Sequence, residues 1–84
     1  MEKSGREELI AAMCAVWAEV LGTPVEADDD FFAIGGDSLA AAQIEALAGE
    51  RLGVSVDATD FLVASSPRTL IAEALGRGAQ VGFD

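Results

Sequence analysis

Five consecutive residues, Gly35-Gly36-Asp37-Ser38-Leu39, combine types and spacing that can do chemistry in this 84-residue chain. The serine stands where a loop ends and an Ala-rich helical segment begins, and it has three readings: a hydrolase nucleophile, a helix cap, or an acceptor for a group that another enzyme transfers. A nucleophilic serine needs a base within hydrogen-bond reach, because a protonated hydroxyl attacks poorly. The usual base is a histidine oriented by a carboxylate, and the chain contains no histidine. The one lysine, Lys3, lies near the N-terminus, and the chain is too short for the sheet that supports a nucleophile elbow. The hydrolase reading is set aside, and no catalytic residue is assigned.

As a cap, Asp37 or Ser38 closes the second helix while Gly35-Gly36 supplies the turn before it. A cap alone does not ask for paired aromatics, paired glycines, Asp, Ser and Leu in one run. As an acceptor, a serine at a helix N-terminus projects its hydroxyl into solvent. Unfilled backbone N–H groups and the helix dipole there favour the negative charge of a phosphodiester. Small residues at Gly35 and Gly36 leave room for a modifying enzyme, which can supply the base and the metal ion itself. The missing histidine then stops being a puzzle.

Other chemistry is excluded by composition. One cysteine, Cys14, forms no internal disulfide and cannot hold a zinc ion without histidine, so no metal site is assigned. Asp28 and Asp30 are spaced as the first two ligands of a calcium loop, but Phe32 and Ala33 stand where the next ligand and the turn glycine belong. The net charge of −10 argues against nucleic acid or an anionic membrane as partner. No apolar run reaches spanning length and the N-terminus lacks a signal peptide's apolar core, so a cytoplasmic protein is expected. Between Arg6 and Arg51 there is no Lys or Arg, while ten acids occur. This surface is read as one that attracts basic partners, with docking that weakens in salt.

The elements that must position Ser38 follow from periodicity. Ala makes up 16 of the residues, with only five aromatics, which favours helix over sheet. Leu9, Ile10, Met13, Val16, Trp17, Val20 and Leu21 recur at helical spacing, so a first helix is predicted from about Gly5 to Leu21, ended by Gly22. Trp17 and Cys14 fall on its core side. The next fourteen residues, "TPVEADDDFFAIGG", make a long loop whose Val25, Phe31, Phe32 and Ile34 are expected to point inward. A second helix is predicted from Ser38 to about Arg51, with Ala40, Ile44, Leu47 and Ala48 as its stripe and Leu39 exposed beside Ser38. Val54 and Val56 are expected core anchors, with Asp57 or Thr59 capping a short helix through Phe61 to Val63. Ser66 and Pro67 open a last helix with Leu70, Ile71, Ala74 and Leu75 inward. Gly76 and Gly78 are expected to end it, leaving about 77–84 as a frayed tail. The predicted fold is all-α, a small four-helix bundle of three main helices and one short one, in a single domain over 1–84.

With these elements placed, "DDFFAIGGDSLAAAQI" resembles the phosphopantetheine attachment motif of thiolation domains in nonribosomal peptide synthesis, the peptidyl carrier proteins. The likeness extends to Val20-Leu21-Gly22 and Val25 upstream, and to "LGVSV" and "RTLIAEAL" downstream. Gly-Gly before Asp-Ser tilts it towards peptidyl or aryl carriers and away from acyl carriers of fatty acid or polyketide synthesis. The resemblance implies 4′-phosphopantetheine attached to Ser38, with Asp37, Gly36 and Gly35 shaping the site. It implies a phosphopantetheinyl transferase, an adenylation enzyme and condensation or tailoring enzymes as partners, and a monomeric carrier that catalyses nothing itself. Leu39, Gln43, Phe61 and Leu62 would contact those partners. Phe61 and Thr69 are separated by "LVASSPR", more than is usual in the family, so either the connection is longer or the third helix is shifted. The initiating Met1, short leader and brief tail lead to the expectation of a free-standing carrier. An unmodified helical interaction module that shares the cap is the reading of a different class.

Overall fold

A computed structural model describes residues 5–76 in full, and the backbone alone for residues 2–4 and 77–83. Four α-helices follow in order: α1 Glu2–Leu21, α2 Ser38–Leu47, α3 Asp60–Val63 and α4 Pro67–Phe83, with no strand among the described residues. α1 packs against α2 and α4, and the short α3 rests on α4. The helical stripe of α1 forms the middle of the core: Ile10, Met13, Val16 and Trp17 are buried, and Leu9, Cys14, Val20 and Leu21 are partly buried against them. α2 adds Ala40, Ala41, Ile44 and, just beyond its end, Ala48, and α4 adds Leu70, Ile71 and Ala74. Each large side chain so buried contributes roughly 1.5–3 kcal/mol relative to exposure.

Local chemistry sets most boundaries where the residues predict them. Gly22 ends α1 with φ 73°, its N–H donating to the Ala18 carbonyl at 2.8 Å. Ser66 caps α4: the Thr69 N–H donates to Ser66 Oγ at 3.2 Å, and the Ser66 N–H donates back to Thr69 Oγ1 at 3.1 Å. This is a capping box, with Pro67 at the first helical position where its missing N–H costs nothing. Val54 and Val56 are buried as expected.

Several expectations are corrected. Of the two loop phenylalanines, Phe31 is buried completely while Phe32 stays 47% exposed, edge-on to the Phe31 ring at 5.1 Å. The core has room for one ring there, and Trp17 and Phe61 already flank it at 5.2 and 4.5 Å. α2 ends at Leu47, not near Arg51, and passes into a wider π-helical turn over Ala48–Leu52. The Gly53 N–H closes this turn on the Ala48 carbonyl, and Arg51 clamps it to α1 through a bidentate pair with Glu19 at 2.8 and 3.1 Å. The Thr59 side chain does not cap α3; it donates to Asp57 Oδ2 at 3.0 Å, while Asp60 Oδ2 accepts the Asp57 N–H at 2.9 Å. Asp60 thus reaches back to Asp57 as the second half of a capping box does.

Cys14 is half-buried, and burial, followed by the charge of Asp29, pushes its thiol up from the ordinary value. α4 continues through Gly76 instead of ending there. The frayed tail expected over about 77–84 lies outside the fully described residues. The wide Phe61–Thr69 interval resolves into the end of α3, a connection over 64–66 and the first turn of α4.

Candidate functional site

The loop that delivers Ser38 is fastened to the head of α4. The Phe31 N–H donates to the Ser65 carbonyl at 2.7 Å, and the Arg68 N–H to the Ala27 carbonyl at 3.0 Å. The Ser65 hydroxyl donates to Asp30 Oδ1 at 2.8 Å, and the Arg68 guanidinium pairs with Asp28 at 2.8 Å. Asp30 also accepts the Ala33 N–H at 3.0 Å, which starts a tight winding of the chain. In that winding the Ile34 N–H reaches the Asp30 carbonyl at 3.1 Å and the Gly36 N–H the Phe31 carbonyl at 2.8 Å. The Ser65 hydroxyl and then the Ala33 amide hold the Asp30 carboxyl below its usual range, and Arg68 does the same for Asp28.

The two glycines do different work. Gly35 has φ 104°, a conformation that L side chains rarely adopt, while a Cβ added there meets nothing. Gly36 has ordinary dihedral freedom but no space, because an added Cβ would collide with the Cζ end of the Phe31 ring.

Asp37 is the N-cap of α2. Its backbone is extended, its Oδ1 accepts the Ala40 N–H at 2.9 Å, and its carbonyl accepts the Ala41 N–H at 2.9 Å. Ser38 is therefore the first helical residue and is released from capping. Its side chain is exposed, and no hydrogen bond from the described residues is made by its hydroxyl. Helical Cβ bonds tilt towards the N-terminus, so a hydroxyl at this position projects past the helix end, beside first-turn amides without intrahelical partners.

A groove of about 200 Å³ opens between α2 and α3, with Ser38 and Asp37 on its wall and Phe31, Phe32, Ala41, Phe61 and Leu62 among the apolar residues that line it. Leu39 next to the serine is 68% exposed and Gln43 one turn on is exposed too. Phe61 is corrected: at 1% exposure it is floor, not contact surface, and packs on Phe31 and Trp17. Leu62 and Val63 present themselves instead, at 72% and 76% exposure. The signal for Val63 was available, since Phe61 and Ala64 inward at i, i+3 leave the two residues between them facing out. Nothing in the sequence pattern separates Phe32 from Phe31.

This arrangement fits a serine-linked phosphodiester. The hydroxyl is accessible, the neighbouring carboxylate is occupied by the Ala40 amide, and an apolar groove starts at the serine. Among the described residues no His/Cys/Asp/Glu group is placed to hold a metal ion, and no helix is long and apolar enough to cross a membrane.

Known proteins carry the same pattern. Residues 11–77 match the family described as "Phosphopantetheine attachment site". The chain is 39% identical over 64 residues to PF 1022-synthetase from Rosellinia sp., which is 76% of this chain and 2% of that protein. It is 40% identical over 55 residues to the nonribosomal peptide synthetase kk1B of Curvularia clavata, covering 66% of this chain and, to the nearest per cent, 0% of the synthetase. The chain thus spans a very small fraction of the curated relatives it matches. Among solved structures, BlmI, a type-II acyl carrier protein from Streptomyces verticillus involved in bleomycin biosynthesis, superposes with a TM-score of 0.82 at 26% identity. The match covers 90% of this chain and 93% of that one. Sequence match, four-helix fold and serine geometry agree: the chain belongs to the phosphopantetheine attachment site family of carrier proteins, and its cofactor is 4′-phosphopantetheine.

Proposed function

We propose that this chain is a carrier domain, over residues 1–84, of nonribosomal peptide synthesis, and that Ser38 is its attachment residue. The observation that carries the reading is the division of labour between neighbours: Asp37 caps α2, and Ser38 at its first position is left exposed for modification. The names of its relatives support the peptide-synthetase context. When bound, the arm supplies a terminal thiol that holds an aminoacyl, peptidyl or aryl group as a thioester. The protein's own residues hold the serine at a fixed place and present a surface; none acts as a catalyst, and the reading places the chain in the cytoplasm. A phosphopantetheinyl transferase modifies Ser38, an adenylation enzyme loads the arm, and condensation or tailoring enzymes use the cargo. Leu39, Gln43, Leu62 and Val63 form the contact surface for them. Phe61 is not part of that surface.

The test is mass spectrometry after incubation with coenzyme A and a broad-specificity phosphopantetheinyl transferase. A gain of one phosphopantetheine that disappears in Ser38→Ala is expected. No gain, or a gain that survives the substitution, overturns the assignment. Leu39→Asp and Leu62→Asp should leave the fold intact and lower kcat/KM for loading by the adenylation enzyme. The same constant should fall as salt rises, given the acidic surface; a value flat across ionic strength opposes the electrostatic part.

A further inference from the structure

We propose that Phe31 and Gly36 form a positioning pair that sets the place of Ser38 for its modification, an inference that rests on the reading of Ser38 above. The Phe31 ring is wholly buried and its centroid lies 5.2 Å from Trp17 and 4.5 Å from Phe61, so it cannot yield towards the core. The Cζ end of that ring fills the space a Gly36 Cβ would need. The Phe31 carbonyl accepts the Gly36 N–H at 2.8 Å, which ties the same two residues by their backbones. One residue further, Asp37 makes the cap that starts α2, and Ser38 follows it. Any displacement of Gly36 away from the ring is carried through Asp37 to the serine, because the Asp37 Oδ1 to Ala40 N–H bond, 2.9 Å long, leaves little slack. Gly36 is small for an inward reason, to let the backbone seat on Phe31. Gly35 is glycine for its dihedral angle alone.

The test compares Gly36→Ala, Phe31→Tyr and the double variant Gly36→Ala/Phe31→Leu with the wild type, each at a temperature where it is folded by circular dichroism. Two quantities are read: kcat/KM for phosphopantetheine transfer from coenzyme A, and hydrogen exchange of the Ala40 amide. Gly36→Ala should lower the transfer constant by about tenfold or more, as small misplacements of a reacting group do, and should speed exchange at Ala40. Phe31→Tyr should do the same from the other side, since its hydroxyl extends from the ring carbon that faces Gly36. In the double variant the smaller Leu gives the added methyl room, so both quantities should recover although its Tm stays below that of the wild type. Recovery that follows position and not stability is what a merely structural role would not produce. Wild-type transfer in folded Gly36→Ala, or no recovery in the double variant, overturns the proposal. If the wild type itself is not modified, the Ser38 reading fails, and the Ala40 exchange pattern still decides whether the pair sets the helix start.

Discussion

Asp30 and Ser65, 35 positions apart, meet in a 2.8 Å hydrogen bond from the Ser65 hydroxyl to Asp30 Oδ1. One residue on, the Phe31 N–H meets the Ser65 carbonyl at 2.7 Å, so the loop before α2 and the turn before α4 share a doubled link. This link braces the approach of the chain to Ser38 from outside the helix that carries the serine.

The link makes stability depend on acid. Asp30 is held below the usual carboxylate range first by Ser65, Asp28 by Arg68 and Glu19 by Arg51. A lowered folded pKa means the unfolded chain binds more protons in the window below the ordinary value of about 4. Stability from these groups is therefore present above that value and lost as pH falls through their folded values. Melting temperatures followed from pH 7 to pH 3 should drop below about pH 4, and the drop should shrink in Asp30→Asn/Asp28→Asn. An equal drop in the variant would mean that other carboxylates carry the effect.

Asp37→Ala should destabilise by about 1 kcal/mol, the usual cost of removing an N-cap, because the Ala40 N–H loses its acceptor. Asp37→Asn or Asp37→Ser should restore most of it. Urea denaturation measures the difference. A loss that Asn does not recover would show that charge, not capping, is the contribution of Asp37.

Adjacent residues of α3 should part company. Phe61→Ala should cost about 3–5 kcal/mol, as large core deletions do, since Phe61 is buried between Phe31 and Trp17. Leu62→Ser should stay within about 0.5 kcal/mol of the wild type, because its side chain stands in solvent. Chemical denaturation of both variants checks the contrast, and similar costs would contradict the orientation of α3.

The indole Nε1–H of Trp17 is buried with no hydrogen-bond partner among the described residues. Leaving such a donor unpaired costs roughly 1–3 kcal/mol, so Trp17→Phe removes a penalty along with part of a ring. Its net cost should be below about 2 kcal/mol, followed by circular dichroism because the single tryptophan is gone. A cost well above that would point to a compensating contact of the indole N–H with the facing rings.

The parts legible in the sequence are those set by neighbours along the chain. Ser66-Pro67 announces α4, Gly22 closes α1, and the spacing of Ile10, Met13, Val16 and Trp17 marks a face, because each rests on helical period or cap chemistry. That Ser38 is no hydrolase nucleophile was legible for a chemical reason: the chain has no histidine to serve as its base. What escaped depends on contacts between distant residues. Phe31 and Phe32 differ only in which ring finds Trp17 and Phe61, and a loop without a period does not say which. The reason for Gly36 lies in a ring five positions earlier that folds back over it. The π-helical turn was hidden because Ala48 and Leu52 keep their inward places whether the turn is wide or narrow.

Phe31, Asp30 and Asp28 all tie the loop that leads to the serine to the start of α4, so the serine stands on a braced pedestal. On the function proposed above, reach between separate catalytic centres belongs to the prosthetic arm, like the boom of a crane on a fixed base. On that proposal the folded body decides where the boom pivots and leaves its direction to whichever enzyme is docked.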